Sequence, residues 1–166
     1  MEEQIYEVDW EDNIIGIRDR SELKQRMFVH RVSLVIPKTL DNKFVFSRRS
    51  KDKQPFPDVW CCAIGGKVQA NESYEEAALR EMVEEAGFQT GIEDIATIKY
   101  DGKTKEILKV FTTKESVKIS NFIPNEETQY FKDFTIEEIN NMIKYNPNDF
   151  APTFLEVLKE FKKSIN

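Results

Sequence analysis

Cysteine is scarce in this 166-residue chain: there are two, Cys61 and Cys62, and they are adjacent. Neighbouring cysteines seldom bridge each other, and no third thiol exists to pair with either, so a disulfide scaffold is excluded. Histidine is scarcer still, with His30 alone. A structural zinc site wants about four nitrogen or sulfur ligands, more than two thiols and one imidazole supply. The cysteines read instead as strand residues, at least one of them facing the core. No apolar run approaches the length of a membrane span, and the opening "MEEQIYEVDW" is acidic where a secretory leader is basic. The expectation is a cytoplasmic protein with no membrane partner. Surplus positive charge is missing as well. The net charge of −6 gives no basic surface for a nucleic-acid polymer. A small anionic substrate stays open, because a bound cation can reverse the sign locally.

What is present is ordinary globular material, 40% hydrophobic and 33% charged. Six glycines and six prolines form no linker, and no repeat divides the chain. One domain over 1–166 is expected. "IYEVDW" and "NIIGIR" read as strands around the turn-former "EDN", and "DRSELKQRM" as a short helix capped by Asp19 or Ser21. "HRVSLVIP" and "KFVFSRR" read as strands across the turn "TLDN", and Pro55 and Pro57 make "KDKQPFPDV" a loop. "WCCAIGG" is a short strand ending in two glycines. Further strands are expected at 95–100, 106–113 and 128–134, and helices at 136–145 and 152–163. That order predicts an α/β fold, a mixed sheet covered by helices.

Between these elements lies "GGKVQANESYEEAALREMVEEAG", residues 65–87. Ser73 with Glu76 three residues on fits a capping box, and Gly87 fits a left-handed helix stop. Ala78, Met82 and Ala86 form an apolar line for packing on a sheet. Glu81, Glu84 and Glu85 crowd together on another face, where each like-charge pair costs roughly 0.2–0.5 kcal/mol. A lone acidic triplet on a helix is usually solvated surface. Here two glycines precede the helix, basic residues cluster upstream in "SRRSKDK", and Arg80 lies within it. Clustered oxygen donors suit a hard divalent cation, and magnesium is typically shared between carboxylates and substrate phosphates. The chemistry points to metal-assisted attack of water on a phosphoryl group.

Read from Gly66, the chain gives glycine, five residues, Glu72, seven residues, then Arg80-Glu81-Met82-Val83-Glu84-Glu85-Ala86-Gly87-Phe88. This resembles the Nudix box, here 66–88, at every defined position. The resemblance implies a Nudix-type α/β/α sandwich whose box forms a loop–helix–loop. It implies that Glu81, Glu84 and Glu85 bind magnesium, or manganese in its place, with the Gly65 or Gly66 carbonyl nearby. It makes Glu72 and Arg80 a structural pair, alongside Gly66 and Gly87 as box glycines. It leaves open whether a box glutamate or a residue outside the box activates water.

"VDWEDNIIGIRDRSEL", "HRVSLVI", "FSRRSKDKQPFPDVW" and "FAPTF" further resemble the Nudix branch that includes isopentenyl-diphosphate isomerase. The isomerase's catalytic cysteine corresponds here to Gly65, and a metal-binding histidine just beyond it to Lys67. The resemblance therefore implies a hydrolase acting on a nucleoside diphosphate linked to another group. An isomerase-like enzyme and a non-catalytic nucleotide-binding module are the rivals, and the retained carboxylates weigh against the module. Arg48, Arg49 and Lys53 are candidate phosphate contacts, balanced against a solvated basic loop. Trp60 reads more as core than as a stacking platform, His30 as a packed strand residue, and Glu126 and Glu127 as solvated loop. Nothing in the sequence reports on the oligomeric state.

Overall fold

The computed structural model describes residues 2–165. β1 (Gln4–Val8) and β2 (Ile14–Asp19) form an antiparallel hairpin, and Asp19 then caps a 3-10 turn at Arg20–Lys24. β3 (His30–Ile36), β6 (Ile64–Lys67), β7 (Ile92–Asp101) and β8 (Lys105–Thr113) make a four-stranded sheet in the order β6-β3-β8-β7. The sheet is mixed: β3 runs parallel to β8, and the other pairs are antiparallel. A parallel pair needs a crossover, and the segment between β3 and β8 supplies it. β4 (Phe44–Arg49), β5 (Trp60–Cys62) and β9 (Thr128–Phe134) form a second, antiparallel sheet in the order β5-β4-β9.

The expected mixed sheet between helices is thus present. The strand total divides into two sheets and a hairpin, a partition set by pairing between residues far apart in sequence. α1 (Tyr74–Ala86) begins at Ser73, whose hydroxyl accepts from the Glu76 amide, and ends at Gly87 with φ of 71°. α2 (Ile136–Tyr145) has a second capping box, Thr135 with Glu138. α3 (Pro152–Ser164) starts with Pro152, whose missing N–H costs nothing in the first turn.

Alternation along the strands divides the core in two. Val35, Ile64 and Phe111 face α1 and pack with Ala78, Met82 and Ala86. Val32, Ile36, Leu108 and Val110 face the other way, toward Phe154, Val157, Leu158 and Phe161 of α3. Helices therefore cover both faces of the mixed sheet. No helix among the described residues is long and apolar enough to cross a membrane.

Phe46 of β4 is fully buried at the centre of an aromatic group, 4.8 Å from the ring of Phe154 and 5.4 Å from that of Phe134. Phe46→Ala is expected to cost about 3–5 kcal/mol, read as a lowered urea midpoint with the m-value unchanged.

Candidate functional site

Between the mixed sheet and the second sheet lies a cavity of about 450 Å³. Its floor is the α3-facing side of the mixed sheet: Val32 and Leu34 of β3, Leu108 and Glu106 of β8, Gly65 and Lys67 of β6. The registers Val32↔Lys67, Leu34↔Gly65 and Val32↔Leu108 set these residues side by side. The opposite wall carries Ser47, Cys61 and Phe131, three residues in register across the second sheet. Phe154 closes one end, and the loop from Lys53 to Phe56 closes another.

The acidic helix reaches this cavity at the sheet's edge. β6 is an edge strand, so some of its N–H groups have no strand partner. The Gly65 N–H donates instead to Glu85 Oε2 at 2.9 Å. Glu85 lines the cavity, and burial pushes its carboxyl up to about 8, opposed by the Gly65 N–H. Gly66 lies on the α1 side, where a Cβ would stand 2.0 Å from Glu81 Oε1. Only glycine leaves that carboxylate its room. Burial also raises the Glu81 carboxyl, against the pull of Arg80.

Arg80 is the hub of the box. Its Nη2 and Nε donate to both oxygens of Glu72, at 2.6 and 3.1 Å. Nη2 also reaches the Lys67 carbonyl at 3.2 Å, while Nη1 donates to Glu81 at 2.9 Å and Glu84 at 3.3 Å. Glu72 Oε1 accepts in addition from the Gln69 amide. Arg80 is held above the usual arginine range, chiefly by the hydrogen bond to Glu72. Glu81 and Glu84 are thus turned toward one guanidinium, while Glu85 has a backbone N–H for company.

The three basic candidates separate. Arg48 and Arg49 are neighbours on a strand and point to opposite faces. Arg48 lies over Trp60 and pairs with Asp58 at 2.9 Å and Asp149 at 2.8 Å, off the cavity wall. Its expected phosphate contact has no support in this geometry, because both carboxylates already claim its guanidinium. Arg49 lines the cavity and holds the loop, donating to the carbonyls of Phe56 and Pro55. The braced Phe56 has φ of 61°, unusual for a bulky residue. Lys53 pairs with Glu127 at 2.6 Å, and both line the cavity. Glu127, read from sequence as solvated loop, is exposed yet stands at the cavity's edge.

Trp60 is buried between Tyr130 and Phe134. Cys62 lies against the core and donates its thiol to the Val35 carbonyl, and Cys61 lies 3.1 Å from the Ser47 hydroxyl. Burial pushes both thiols up. Three polar residues of the cavity end carried no signal in the sequence reading: Arg20, Glu106, and Lys67 beyond its departure from the isomerase pattern. Period-two alternation in "HRVSLVI" and "KEILKV" places His30 and Glu106 on the Val32 and Leu108 face, which was the available clue.

The NUDIX domain family model matches residues 29–157. A prenyl-diphosphate phosphatase of Methanosarcina mazei is 30% identical over 163 residues, covering 96% of this chain and 95% of its own. An isopentenyl-diphosphate Delta-isomerase of Serratia proteamaculans is 22% identical over 164 residues, covering 96% and 92%. A crystal structure from Deinococcus radiodurans superposes with a TM-score of 0.80 at 20% identity, covering 99% of this chain and all of that one, and so shares the fold. With the box folded as loop–helix–loop against an edge strand, and a full-length hydrolase relative at this identity, the chain belongs to the Nudix hydrolase family, enzymes of phosphoanhydride bonds.

Proposed function

We propose that this chain, as one Nudix domain over 1–166, is a divalent-cation-dependent hydrolase of a small diphosphate that carries an apolar group. Magnesium is the expected ion and manganese its substitute. The observation that supports the substrate class is the cavity itself. Arg20, Arg49, Lys53 and Lys67 line it, beside an apolar surface of Val32, Leu34, Leu108, Phe131 and Phe154. Cationic side chains suit phosphate oxygens, and the apolar surface suits a hydrocarbon better than a sugar. The likeness to the Methanosarcina prenyl-diphosphate phosphatase supports the same choice. The nucleoside diphosphate derivative expected from sequence loses ground, because Trp60 is core and offers no platform for a base.

The residues fit a hard cation in kind. The carboxylates of Glu81, Glu84 and Glu85 and the Gly65 carbonyl are all oxygen donors, and Glu85 already meets Gly65 through its N–H. Among the described residues no three Asp, Glu, His or Cys side chains already stand at metal-holding spacing. Arg80 accounts for that, since it draws Glu81 and Glu84 to itself. Glu85 supplies the clearest need for a cation: a buried carboxylate with no cationic partner is costly. Glu81, Glu84, Glu85 and Gly65 would hold the ion. When bound, it neutralises phosphate charge and lowers the pKa of a coordinated water.

The chain's own residues do the rest. Glu72 and Arg80 fix the loop to the helix, Lys53 and Arg49 stand at the wall as phosphate contacts, and a box carboxylate accepts the proton of the attacking water. A P–O bond forms at the outer phosphorus as the bridging P–O bond breaks, giving an organic monophosphate and inorganic phosphate. Isomerisation would need an acid positioned at an alkene. Gly65 has no side chain to offer, and the Cys62 thiol is committed to a carbonyl.

With magnesium, the purified protein should release phosphate from a prenyl diphosphate faster than it cleaves ADP-ribose, and should leave isopentenyl diphosphate unisomerised. Chelation should stop turnover, and Glu85→Gln should lower kcat by about 10²-fold or more. Phosphate assay with NMR of the isopentenyl product decides it. Magnesium-independent turnover, or double-bond migration without hydrolysis, would overturn the reading.

Glu85 also predicts a pH dependence of stability without metal. Its folded pKa, about 8, lies above the ordinary value of 4.5. Below 4.5 both states are protonated and Glu85 has no effect. As pH rises toward 8 the unfolded state gains by ionising where the folded state does not, so stability falls. Glu85→Gln should therefore raise the melting temperature in chelator, by little at pH 5 and by most near pH 8.5. Melting curves of both proteins at the two pH values test the sign.

A further inference from the structure

Two cations of the cavity, Arg49 and Lys67, make no ion pair among the described residues. Arg20 pairs with Glu3 at 3.0 Å, Lys53 with Glu127 at 2.6 Å, and Arg49 donates to the carbonyls of Pro55 and Phe56. Lys67, which also lines the cavity, makes no ion pair with any described residue. It belongs to the Gly65 side of β6, so its side chain leaves the sheet toward the cavity, two residues from the amide that Glu85 accepts from.

The carboxylate that attracts Lys67 most is Glu106, which stands outside ion-pair distance of it and lies against His30. His30 and Glu106 are in register on β3 and β8, and His30 Nε2 lies 3.6 Å from Glu106 Oε1. The imidazole is 1% exposed, and its Nδ1 lies 3.0 Å from the Phe28 carbonyl, which can only accept. Nδ1 therefore carries a hydrogen. His30 Nε2 is a buried side-chain atom with no hydrogen-bond partner, and it faces a carboxyl group. Against the upward push of burial, His30 and Lys67 hold the Glu106 carboxyl below its usual range, yet Glu106 and Lys67 form no ion pair.

We propose that Lys67 is the specificity-determining anchor for the outer phosphate of the diphosphate. This rests on the hydrolase reading above and deepens it. The order of groups along the cavity agrees. Lys67, Arg20, Thr104 and Glu106 make one polar end, while Leu34, Phe131, Ala151 and Phe154 receive the organic group. An ammonium on a flexible stem binds phosphate as a point charge. Diphosphates should therefore be favoured over monophosphates, which lack the second group to reach it.

The test reads binding apart from turnover. Calorimetry with inorganic pyrophosphate and with orthophosphate, each with and without magnesium, is run on the wild type, Lys67→Met, Lys67→Arg and Lys67→Met/Glu106→Gln. Lys67→Met should weaken pyrophosphate at least tenfold and orthophosphate less than threefold. Lys67→Arg should recover most of the loss. With a prenyl diphosphate, Lys67→Met should raise KM tenfold or more and change kcat much less. If Lys67 were a structural partner of Glu106, Lys67→Met would lower the melting temperature and the double variant would restore both stability and pyrophosphate affinity. That rescue, equal pyrophosphate affinity in wild type and Lys67→Met, or no pyrophosphate binding by the wild type would overturn the assignment. Pyrophosphate binding without turnover of any diphosphate would instead overturn the hydrolase reading and leave the anchor standing.

Discussion

The guanidinium of Arg80 ties the loop before α1 to the helix, to Glu72, to the end of β6 through the Lys67 carbonyl, and to Glu81 and Glu84. A fork of five N–H donors is the one side chain able to satisfy so many acceptors in fixed directions. Its placement removes most of the cost of crowding carboxylates on a helix face. With the charge of Glu72, Glu81 and Glu84 shared around one cation, the repulsion that the sequence pattern implies falls chiefly on Glu85. Lysine in that position would present a point charge and could not hold both Glu72 oxygens in plane.

The edge strand matters for the same reason. β6 has a single strand neighbour, so the Gly65 N–H is free to meet a side chain. Glycine at 65 and at 66 serves opposite faces: the first lets Leu34 lie across the floor, the second leaves space for the Glu81 carboxylate. Either position with a side chain would push the helix off the strand or the carboxylate out of place. The box is thus a packing solution as much as a set of donors, because the donors stand where they do only while α1 lies close against β6.

Much of this is legible in the sequence. The ends of α1 were written in Ser73, Glu76 and Gly87, and its buried stripe in Ala78, Met82 and Ala86, because capping and periodicity are local. The strands at 106–113 and 128–134 came through for the same reason. What stayed hidden depends on pairing at long range. Nothing local says that β4 leaves the mixed sheet to pair with β5 and β9, and the cavity exists only because it does. Strand alternation does separate Arg48 from Arg49, yet which face meets the cavity is fixed by Trp60, Asp58 and Asp149, three residues from two distant segments. Glu106 and Lys67 were invisible as a group until β3 came between them.

The cavity's charge pattern follows from those pairings. A space between two sheets, lined by aliphatic residues, would ordinarily close or stay dry. Here its lining includes groups that cannot be buried unsatisfied, the Glu85 carboxyl and the Lys67 ammonium. Each opposes collapse, since bringing the sheets together would strip the remaining water from charges that lack a partner. On the proposed reading a cation answers the Glu85 carboxyl, a phosphate answers Lys67, and a hydrocarbon covers Leu34, Leu108 and Phe154. On the proposed reading, the groups that cost stability in the empty protein are the ones that would select what fills it.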